Sequence, residues 1–215
     1  MGRTIWLVRH GARADFVDGK WKSIDGGTRD APLSELGRLQ AEELAQDLEN
    51  ESIDHIFVSP YLRTLQTASP LCQALGTRMK VEDGIGECLW GLTSMPAELL
   101  SLEARQVRFP TIDPTYTSVK SPLVGPETGE SAEERAGKVI LQLVNAYEGN
   151  LLFMGHGITV LGGARALVGA QNPLRVAFCS VTSIEWVDSE WVLRKNGDLS
   201  HLSNQESSLQ HQMST

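Results

Sequence analysis

The sequence has few cysteines, a shortage of basic residues and no long hydrophobic segment. Three cysteines in 215 residues, with no Cys-x-x-Cys pair, argue against a disulfide framework or a structural zinc site and favour a reducing compartment. Nineteen Lys and Arg residues against 27 Asp and Glu give a net charge of −8, which argues against binding nucleic acid or an anionic membrane through a broad basic surface. An anion site in this chain must therefore be a local basic pocket.

The hydrophobic pattern also limits the localisation and the domain count. The longest apolar segment, residues 151–168, is interrupted by His156 and Arg165 and is too polar to span a bilayer. The first strand begins at Thr4 and leaves no room for a signal peptide, so we expect a cytoplasmic protein. We assign one domain to residues 1–199 and a polar C-terminal tail without firm structure to residues 200–215. The sequence is compatible with a homodimer but does not determine the oligomeric state.

Apolar, β-prone segments alternate with amphipathic helices along the chain. This alternation predicts an α/β fold, a three-layer α/β/α sandwich whose central sheet is mostly parallel with an antiparallel edge strand. The predicted strands are 4–8, 55–58, 79–81 and 150–154, with a closing hairpin at 180–187 and 191–195. The predicted helices begin after Ser34, at Pro60 behind a Ser59 cap, at about Met95, at a Ser131 capping box and after Gly157.

Three of the predicted strands are followed by residues suited to binding an anion. Arg9-His10-Gly11 follows the first strand, Ser59-Pro60-Tyr61-Leu62-Arg63 follows the second, and Gly155-His156-Gly157 follows the fourth. The carboxyl ends of parallel strands lie at one edge of a sheet, so these residues should meet in one pocket. Together with Arg13 they would repel one another unless an anion were bound. A phosphoryl group, with a charge of about −1.5 to −2, suits this pocket.

Each of these residues also has an ordinary structural interpretation when taken alone. His10 could be a packed histidine at a strand end, and Arg13 could be a surface residue. The loop 82–91 contains Glu87, but Glu82 and Asp83 are close to it and acidic loops are usually just solvated. Cys88 follows Glu87 but lacks the Cys-x5-Arg pattern of thiol phosphatases.

Four blocks, in order, resemble the histidine phosphatase superfamily, in its phosphoglycerate mutase-like branch. They are Leu-Val-Arg-His-Gly at 7–11, Pro-Leu-Ser-Glu-Leu-Gly-Arg-Leu-Gln-Ala at 32–41, Ser-Pro-Tyr-Leu-Arg-Thr-Leu-Gln-Thr-Ala at 59–68, and Gly-His-Gly at 155–157. The resemblance covers about residues 4–195. Segments 9–16 and 81–87 are most similar to the phosphatase domains of the suppressor-of-T-cell-receptor-signalling proteins and the insect ecdysteroid-phosphate phosphatase.

The resemblance implies a role for each site residue. His10 would be the nucleophile that becomes phosphohistidine, and Glu87 would protonate the leaving alcohol and later activate water. The residues that would hold the phosphoryl oxygens are Arg9, Arg13, Arg63 and His156. The implied enzyme needs no metal and no cofactor, and its partners are a small phosphomonoester or phosphotyrosine-like group and the phosphate ion.

The expected activity is phosphomonoester hydrolysis, and two alternatives remain open: a phosphoglycerate mutase-type phosphotransferase and an inactive module that binds a phosphorylated ligand. Mutases of this fold carry Glu-Arg-x-Tyr-Gly, whereas Cys88-Leu89-Trp90-Gly91 follows Glu87 here, which favours hydrolysis. Aromatic residues in the loops 12–30, 89–96 and 109–129 favour a substrate with an apolar or aromatic body, although they could instead pack the loops. These residues are Phe16, Trp21, Trp90, Phe109 and Tyr116.

Overall fold

The computed structural model describes residues 2–17, 29–97, 99–169, 173–209 and 213–214. The strands are β1 Thr4–Arg9, β2 His55–Val58, β3 Met79–Val81, β4 Leu151–Gly155, β5 Arg175–Val176, β6 Val181–Val187, β7 Glu190–Asp198 and β8 Met213–Ser214. The helices are α1 Ala14–Val17, α2 Glu35–Leu48, α3 Leu62–Ala74, α4 Leu102–Arg108, α5 Gly129–Ala146, α6 Gly157–Val168 and α7 Glu206–Leu209, with a short 3-10 helix at Asp83–Ile85.

The central sheet has six strands in the order β3-β2-β4-β1-β6-β7. Strands β3, β2, β4 and β1 are parallel to their neighbours, and β6 and β7 continue the sheet in antiparallel pairing. The register places Arg9 opposite Gly155 and Val58 opposite Met154, so β1, β4 and β2 end side by side. The predicted mostly parallel sheet with an antiparallel edge is confirmed.

Successive side chains of the central strands face opposite layers of helices, as the strand period of two requires. On one face, residues of even number pack with α2 and α3; they include Trp6, Val8, Ile56, Val58, Leu152 and Met154. On the other face, residues of odd number pack with α5 and α6; they include Ile5, Leu7, Phe57, Leu151 and Phe153. Helices thus cover both faces of the sheet, which confirms the three-layer sandwich.

Three helix starts differ from the prediction. Helix α3 begins at Leu62 rather than Pro60, because Asp30 Oδ1 accepts the Leu62 N–H at 2.7 Å and the Ser59 side chain is directed elsewhere. Helix α4 is confined to Leu102–Arg108, where Ser101 caps the first turn, so the predicted start near residue 95 is wrong. Helix α5 begins at Gly129, because Thr128 forms the capping box with Ser131.

Residues beyond 199 carry more structure than the sequence indicated. Helix α7 lies there, Leu202 is buried in the core with α2 and α3, and Ser208 is fully buried. The division of the chain at residue 199 stays a prediction. Among the described residues, no helix combines the length and the apolar character needed to cross a membrane.

Candidate active site

His10 lies directly after β1 and is held through its backbone and its ring. Its N–H donates to Gly155 O at 3.0 Å, and its carbonyl accepts from Cys179 N at 3.0 Å. Ring Nδ1 lies 2.8 Å from Gly11 O. A carbonyl oxygen only accepts, so Nδ1 carries the proton and Nε2 keeps its lone pair. A backbone carbonyl thus decides which ring nitrogen of His10 carries the proton.

The surroundings of His10 keep the imidazole neutral. Burial, followed by the charges of Arg63, His156 and Arg9, lowers the pKa of His10 well below its ordinary value. The His10 ring also contacts the His156 ring edge-on, with ring centroids 5.4 Å apart. A neutral imidazole with a free Nε2 lone pair is a competent nucleophile.

The loop after His10 packs tightly against the start of α2. A Cβ atom on Gly11 would lie only 2.7 Å from Gly37 O, so only glycine allows this close approach. The Gly11 N–H donates to Thr67 Oγ1 at 3.1 Å, and the Ala12 N–H donates to Gln40 Oε1 at 2.8 Å. Side chains of α2 and α3 therefore fix the backbone that follows His10.

Arg63 and His156 form one hydrogen-bonded pair at the same sheet edge. Arg63 lies in the first turn of α3, and its Nη2 donates to His156 Nδ1 at 3.2 Å. Because Nδ1 accepts this bond, the proton lies on His156 Nε2, which is 2.7 Å from Ser59 Oγ. Burial lowers the pKa of His156 to about 4, against the opposing effect of Glu87, so the imidazole is neutral near pH 7.

Glu87 lies beside this pair. Its Oε2 is 3.4 Å from Arg63 Nη2 and 3.3 Å from His156 Nδ1, and its Oε1 accepts the Cys88 N–H at 3.1 Å. Burial alone would raise the pKa of Glu87, but the Arg63 guanidinium and the Cys88 N–H, which both donate to the carboxylate, hold that pKa below its usual range. The carboxyl group is therefore ionised here.

Arg9 completes the group. Its Nη1 donates to Val176 O at 3.0 Å, and its guanidinium carbon lies 4.3 Å from the centroid of the Phe178 ring. Burial lowers the pKa of Arg9 to about 10, with Glu87 opposing and Arg63 adding to the shift. The guanidinium is thus still a cation at neutral pH. The structure brings Arg9, His10, Arg63 and His156 to one edge of the sheet, as the strand order predicted.

Arg13 lies at the mouth of the site and is already paired with a carboxylate. Its Nε and Nη2 donate to the two carboxylate oxygens of Asp15 at 2.9 and 2.6 Å, and its guanidinium lies over the Phe16 ring at 4.8 Å. Arg13 nevertheless lines a cleft of about 250 Å³ together with Arg63 and Glu87. Asp15 engages Nε and Nη2 of Arg13, and the contact of Arg13 with phosphate stays a prediction.

The aromatic residues predicted to surround the substrate differ in their surroundings. Trp90 lines the cleft and is 58 % exposed, beside Tyr61, a buried residue that was not among those predicted. Phe109 is buried in the core, and the Tyr116 hydroxyl donates to Glu82 at 2.6 Å, so both pack the loops instead. Phe16 is half exposed and contacts Phe178; Trp21 lies outside the described residues.

Sequence reasoning missed three polar or aromatic neighbours of the site. Ser59 bonds His156 rather than capping a helix, and Gln40 accepts the Ala12 N–H in the loop after His10. The Tyr61 ring contacts both His156, at 5.0 Å between centroids, and Arg63, at 4.6 Å. The position of Ser59 after β2 was a usable signal, whereas Gln40 gave none, because its contact depends on how α2 packs. In the ranges described, no cluster of three or more His, Cys, Asp or Glu side chains is suited to a metal ion.

A model of the histidine phosphatase superfamily, branch 1, matches residues 5–199. The chain belongs to this family. Among curated relatives, the chain is 30% identical to the ecdysteroid-phosphate phosphatase of Drosophila melanogaster, over 89% of this chain but only 31% of that protein. It is also 30% identical to the probable phosphoglycerate mutase GpmB of Yersinia pestis, over 92% of this chain and 94% of the relative.

Solved structures with the same fold are similar to this chain. The ecdysone phosphate phosphatase of Bombyx mori, in complex with tungstate, superposes with a TM-score of 0.76 at 22% identity, covering 94% of this chain and 95% of the other. A phosphoserine phosphatase mutant of Entamoeba histolytica in complex with phosphoserine gives a TM-score of 0.61 at 19% identity, covering 93% and 99%. The family and the fold are thus shown, while the relatives include both phosphatases and a probable mutase.

Proposed function

We propose that this histidine phosphatase hydrolyses phosphomonoesters without a metal ion, through a phosphohistidine on His10. The observation that carries the proposal is the bond from His10 Nδ1 to Gly11 O, which leaves the Nε2 lone pair free on a neutral ring. Nε2 attacks phosphorus, the ester P–O bond breaks, and Glu87 gives a proton to the leaving oxygen. Water then attacks the phosphorus of the phosphohistidine while Glu87 takes a proton from it. The P–N bond to His10 Nε2 breaks, the electron pair returns to Nε2, and phosphate leaves.

The charge of the site supports a phosphoryl ligand. Arg9 and Arg63 are buried cations next to the nucleophile, and a phosphoryl dianion would compensate both. Phosphoryl transfer depends mainly on positioning and on neutralisation of charge, which guanidinium and imidazole donors can supply. We therefore assign the phosphoryl oxygens to Arg9, Arg63 and His156, with Arg13 reaching them from the mouth of the cleft.

Glu87 must be protonated to act as an acid, and substrate binding would favour its protonation. The carboxyl group is ionised because Arg63 Nη2 lies 3.4 Å from Oε2 and the Cys88 N–H donates to Oε1 at 3.1 Å. A bound phosphoryl dianion would compete for the Arg63 donor and add negative charge, and both effects raise the pKa of Glu87. Substrate would thereby convert Glu87 from a base into an acid.

Hydrolysis is favoured over a mutase reaction by the access of water to the site. Glu87 keeps 30% of its side chain exposed, and Trp90 at the rim is 58% exposed. A mutase must protect its phosphoenzyme from water, whereas this cleft is open at the acid.

The rim formed by Trp90, Leu92 and Pro96 suits a leaving group with an apolar or aromatic body. We keep a cytoplasmic location as part of the proposal.

Turnover of 4-nitrophenyl phosphate in the presence of a chelator tests the proposal. Wild-type protein should release phosphate, and His10→Ala should be inactive. His55→Ala is a matched control, because His55 lies at the start of β2, away from the site, and should keep its activity. Loss of wild-type turnover in chelator, or full activity in His10→Ala, would contradict the mechanism. Phosphate binding without turnover would indicate the binding module, and rapid interconversion of 2- and 3-phosphoglycerate the mutase.

A further inference from the structure

A single peptide unit, between Gly11 and Ala12, fixes the tautomer of His10. Its carbonyl oxygen, Gly11 O, accepts the His10 Nδ1–H at 2.8 Å. Its N–H, on Ala12, donates to Gln40 Oε1 at 2.8 Å. If this peptide rotated, His10 would lose the acceptor that keeps the proton on Nδ1. The orientation of the peptide therefore decides whether Nε2 carries a lone pair.

Gln40 is held in turn by the C-terminal part of the chain. The Ala12 N–H can only donate, so it must face the amide oxygen of Gln40, and the Gln40 Nε2 group must face the other way. Nε2 donates to Ser208 Oγ at 2.8 Å. Gln40 is 1% exposed and Ser208 is 0% exposed, so water does not substitute for either bond. A chain of hydrogen bonds thus runs from Ser208 through Gln40 and the 11–12 peptide to His10.

We propose that Gln40 and Ser208 are positioning residues that hold the nucleophile in its reactive tautomer, and that helix α7 is therefore part of the active-site scaffold. Neither residue touches the substrate. The inference rests on the proposed function, since it gives His10 Nε2 the role of nucleophile. The proposal also gives a role to residues beyond 199, which composition alone predicts to be a polar tail.

A second contact supports a scaffold role for the same region. His201 Nε2 lies 3.1 Å from Cys179 O, and the Cys179 N–H donates to His10 O. Cys179 has φ 57°, a left-handed conformation that is unusual for a residue with a side chain. Its thiol donates to Gln40 O at 3.3 Å. Residues from 201 to 208 thus brace the nucleophile from two directions.

Gln40→Leu and Ser208→Ala test the proposal directly. Gln40→Leu keeps the approximate volume but removes the acceptor for Ala12 N–H, and we expect kcat to fall about 10-fold to 100-fold, as when an outer partner of a functional histidine is removed. KM should change little, because Arg9, Arg63 and His156 are untouched. Ser208→Ala should lower kcat less, since Gln40 stays in place. Gln40→Glu should recover much of the activity, because one carboxyl oxygen still accepts from Ala12.

Nitrogen-15 NMR of the histidine rings supplies a readout that a loss of packing alone would not give. In the wild type, the His10 signals should show one tautomer with the proton on Nδ1. Gln40→Leu should give a mixture of tautomers, and Ser208→Ala a smaller admixture. Ser207→Ala is the matched control: its hydroxyl donates to Asn204 O within the same segment, and both spectra and kcat should stay unchanged.

The outcomes separate this inference from the proposed function. If both Gln40→Leu and Ser208→Ala keep the single Nδ1–H tautomer and the wild-type kcat, the positioning role is refuted. If Gln40→Leu does not fold, the Ser208→Ala spectrum decides alone. If the wild type shows no turnover but its tautomer still depends on Gln40, the inference about His10 stands and the proposed phosphatase activity fails.

Discussion

In the proposed mechanism, the acid step depends on Glu87. The Arg63 guanidinium and the Cys88 N–H keep this carboxyl group ionised without substrate, so the proposed acid form belongs to the occupied site. The contribution of Glu87 to the rate should increase with the pKa of the leaving alcohol, because a leaving group of low pKa departs without being protonated.

Glu87→Gln should therefore discriminate between substrates. For an alkyl phosphate, we expect kcat/KM to fall by about 10²-fold to 10⁴-fold, the usual contribution of a positioned acid. For 4-nitrophenyl phosphate the fall should be much smaller. Steady-state kinetics with a series of leaving groups measures the difference. Equal losses across the series would remove Glu87 from the acid role, and Glu82 or Asp83 would need testing in its place.

The sequence predicted which residues meet but not how each is paired. Arg9, His10 and His156 could be placed because the ends of parallel strands share one edge of the sheet. The pairing of Arg13 with Asp15, two residues away, depends on side-chain rotamers. The bond between Ser59 and His156 depends on packing between residues 97 positions apart in sequence. Such contacts leave no periodic signal, so local patterns do not reveal them.

The loop that follows β3 is anchored by one buried carboxylate. Glu82 is 0% exposed and accepts from the hydroxyls of Tyr116 and Ser118 at 2.6 and 2.7 Å. It also accepts backbone N–H groups, from Gly84 at 2.8 Å, Val119 at 2.9 Å and Lys120 at 3.3 Å. A side chain that only accepts suits a ring of donors, and this anchor ties the 116–120 segment to the loop that carries Glu87.

Glu82→Gln should destabilise the protein although it changes one atom. The amide places an N–H₂ donor against donors, so we expect the free energy of unfolding to fall by about 2–4 kcal/mol. Urea unfolding measures the change, and Glu51→Gln at an exposed site is the control. A loss no larger than that of the control would show that the carboxylate is not the anchor of this loop.

Elements with strong periodicity could be predicted, and their starting points could not. The strands and the cores of α2, α5 and α6 follow from spacing alone. The start of α3 depends on Asp30, which is 32 residues before Leu62 in sequence, and α4 starts only where Ser101 provides a cap. Packing between distant segments decides these ends, which a local pattern does not contain.

The whole molecule should lose stability in mild acid. Burial lowers the pKa of His156 to about 4 and the pKa of His10 well below its ordinary value. In the unfolded chain, each histidine has a pKa of about 6.5. Between the folded and unfolded pKa values of a histidine, the unfolded chain therefore binds more protons than the folded one. The free energy of unfolding then falls as the pH falls below about 6.5. The lowered pKa of Glu87 affects the free energy of unfolding only below about pH 4.5, which is more acidic than the conditions of the test below.

Urea unfolding at pH 7.5, 6.0 and 5.5 measures this dependence. Each buried histidine should contribute a slope of up to about 1.4 kcal/mol per pH unit below its unfolded pKa. His156→Gln removes one titrating group and should reduce the slope, whatever its effect on stability at pH 7.5. A wild-type stability that stays level from pH 7.5 to 5.5 would mean that the two imidazoles are not held neutral in the folded state.

The covalent intermediate on His10 is the most direct test of the central claim. Wild-type protein is mixed with 4-nitrophenyl phosphate, quenched within milliseconds in alkaline denaturant, digested and mapped by mass spectrometry. The mechanism predicts a phosphoryl group on the peptide that contains His10, formed at least as fast as kcat and absent in His10→Ala. An enzyme that turns over with no covalent phosphate, or with phosphate on Cys88 instead, would contradict it.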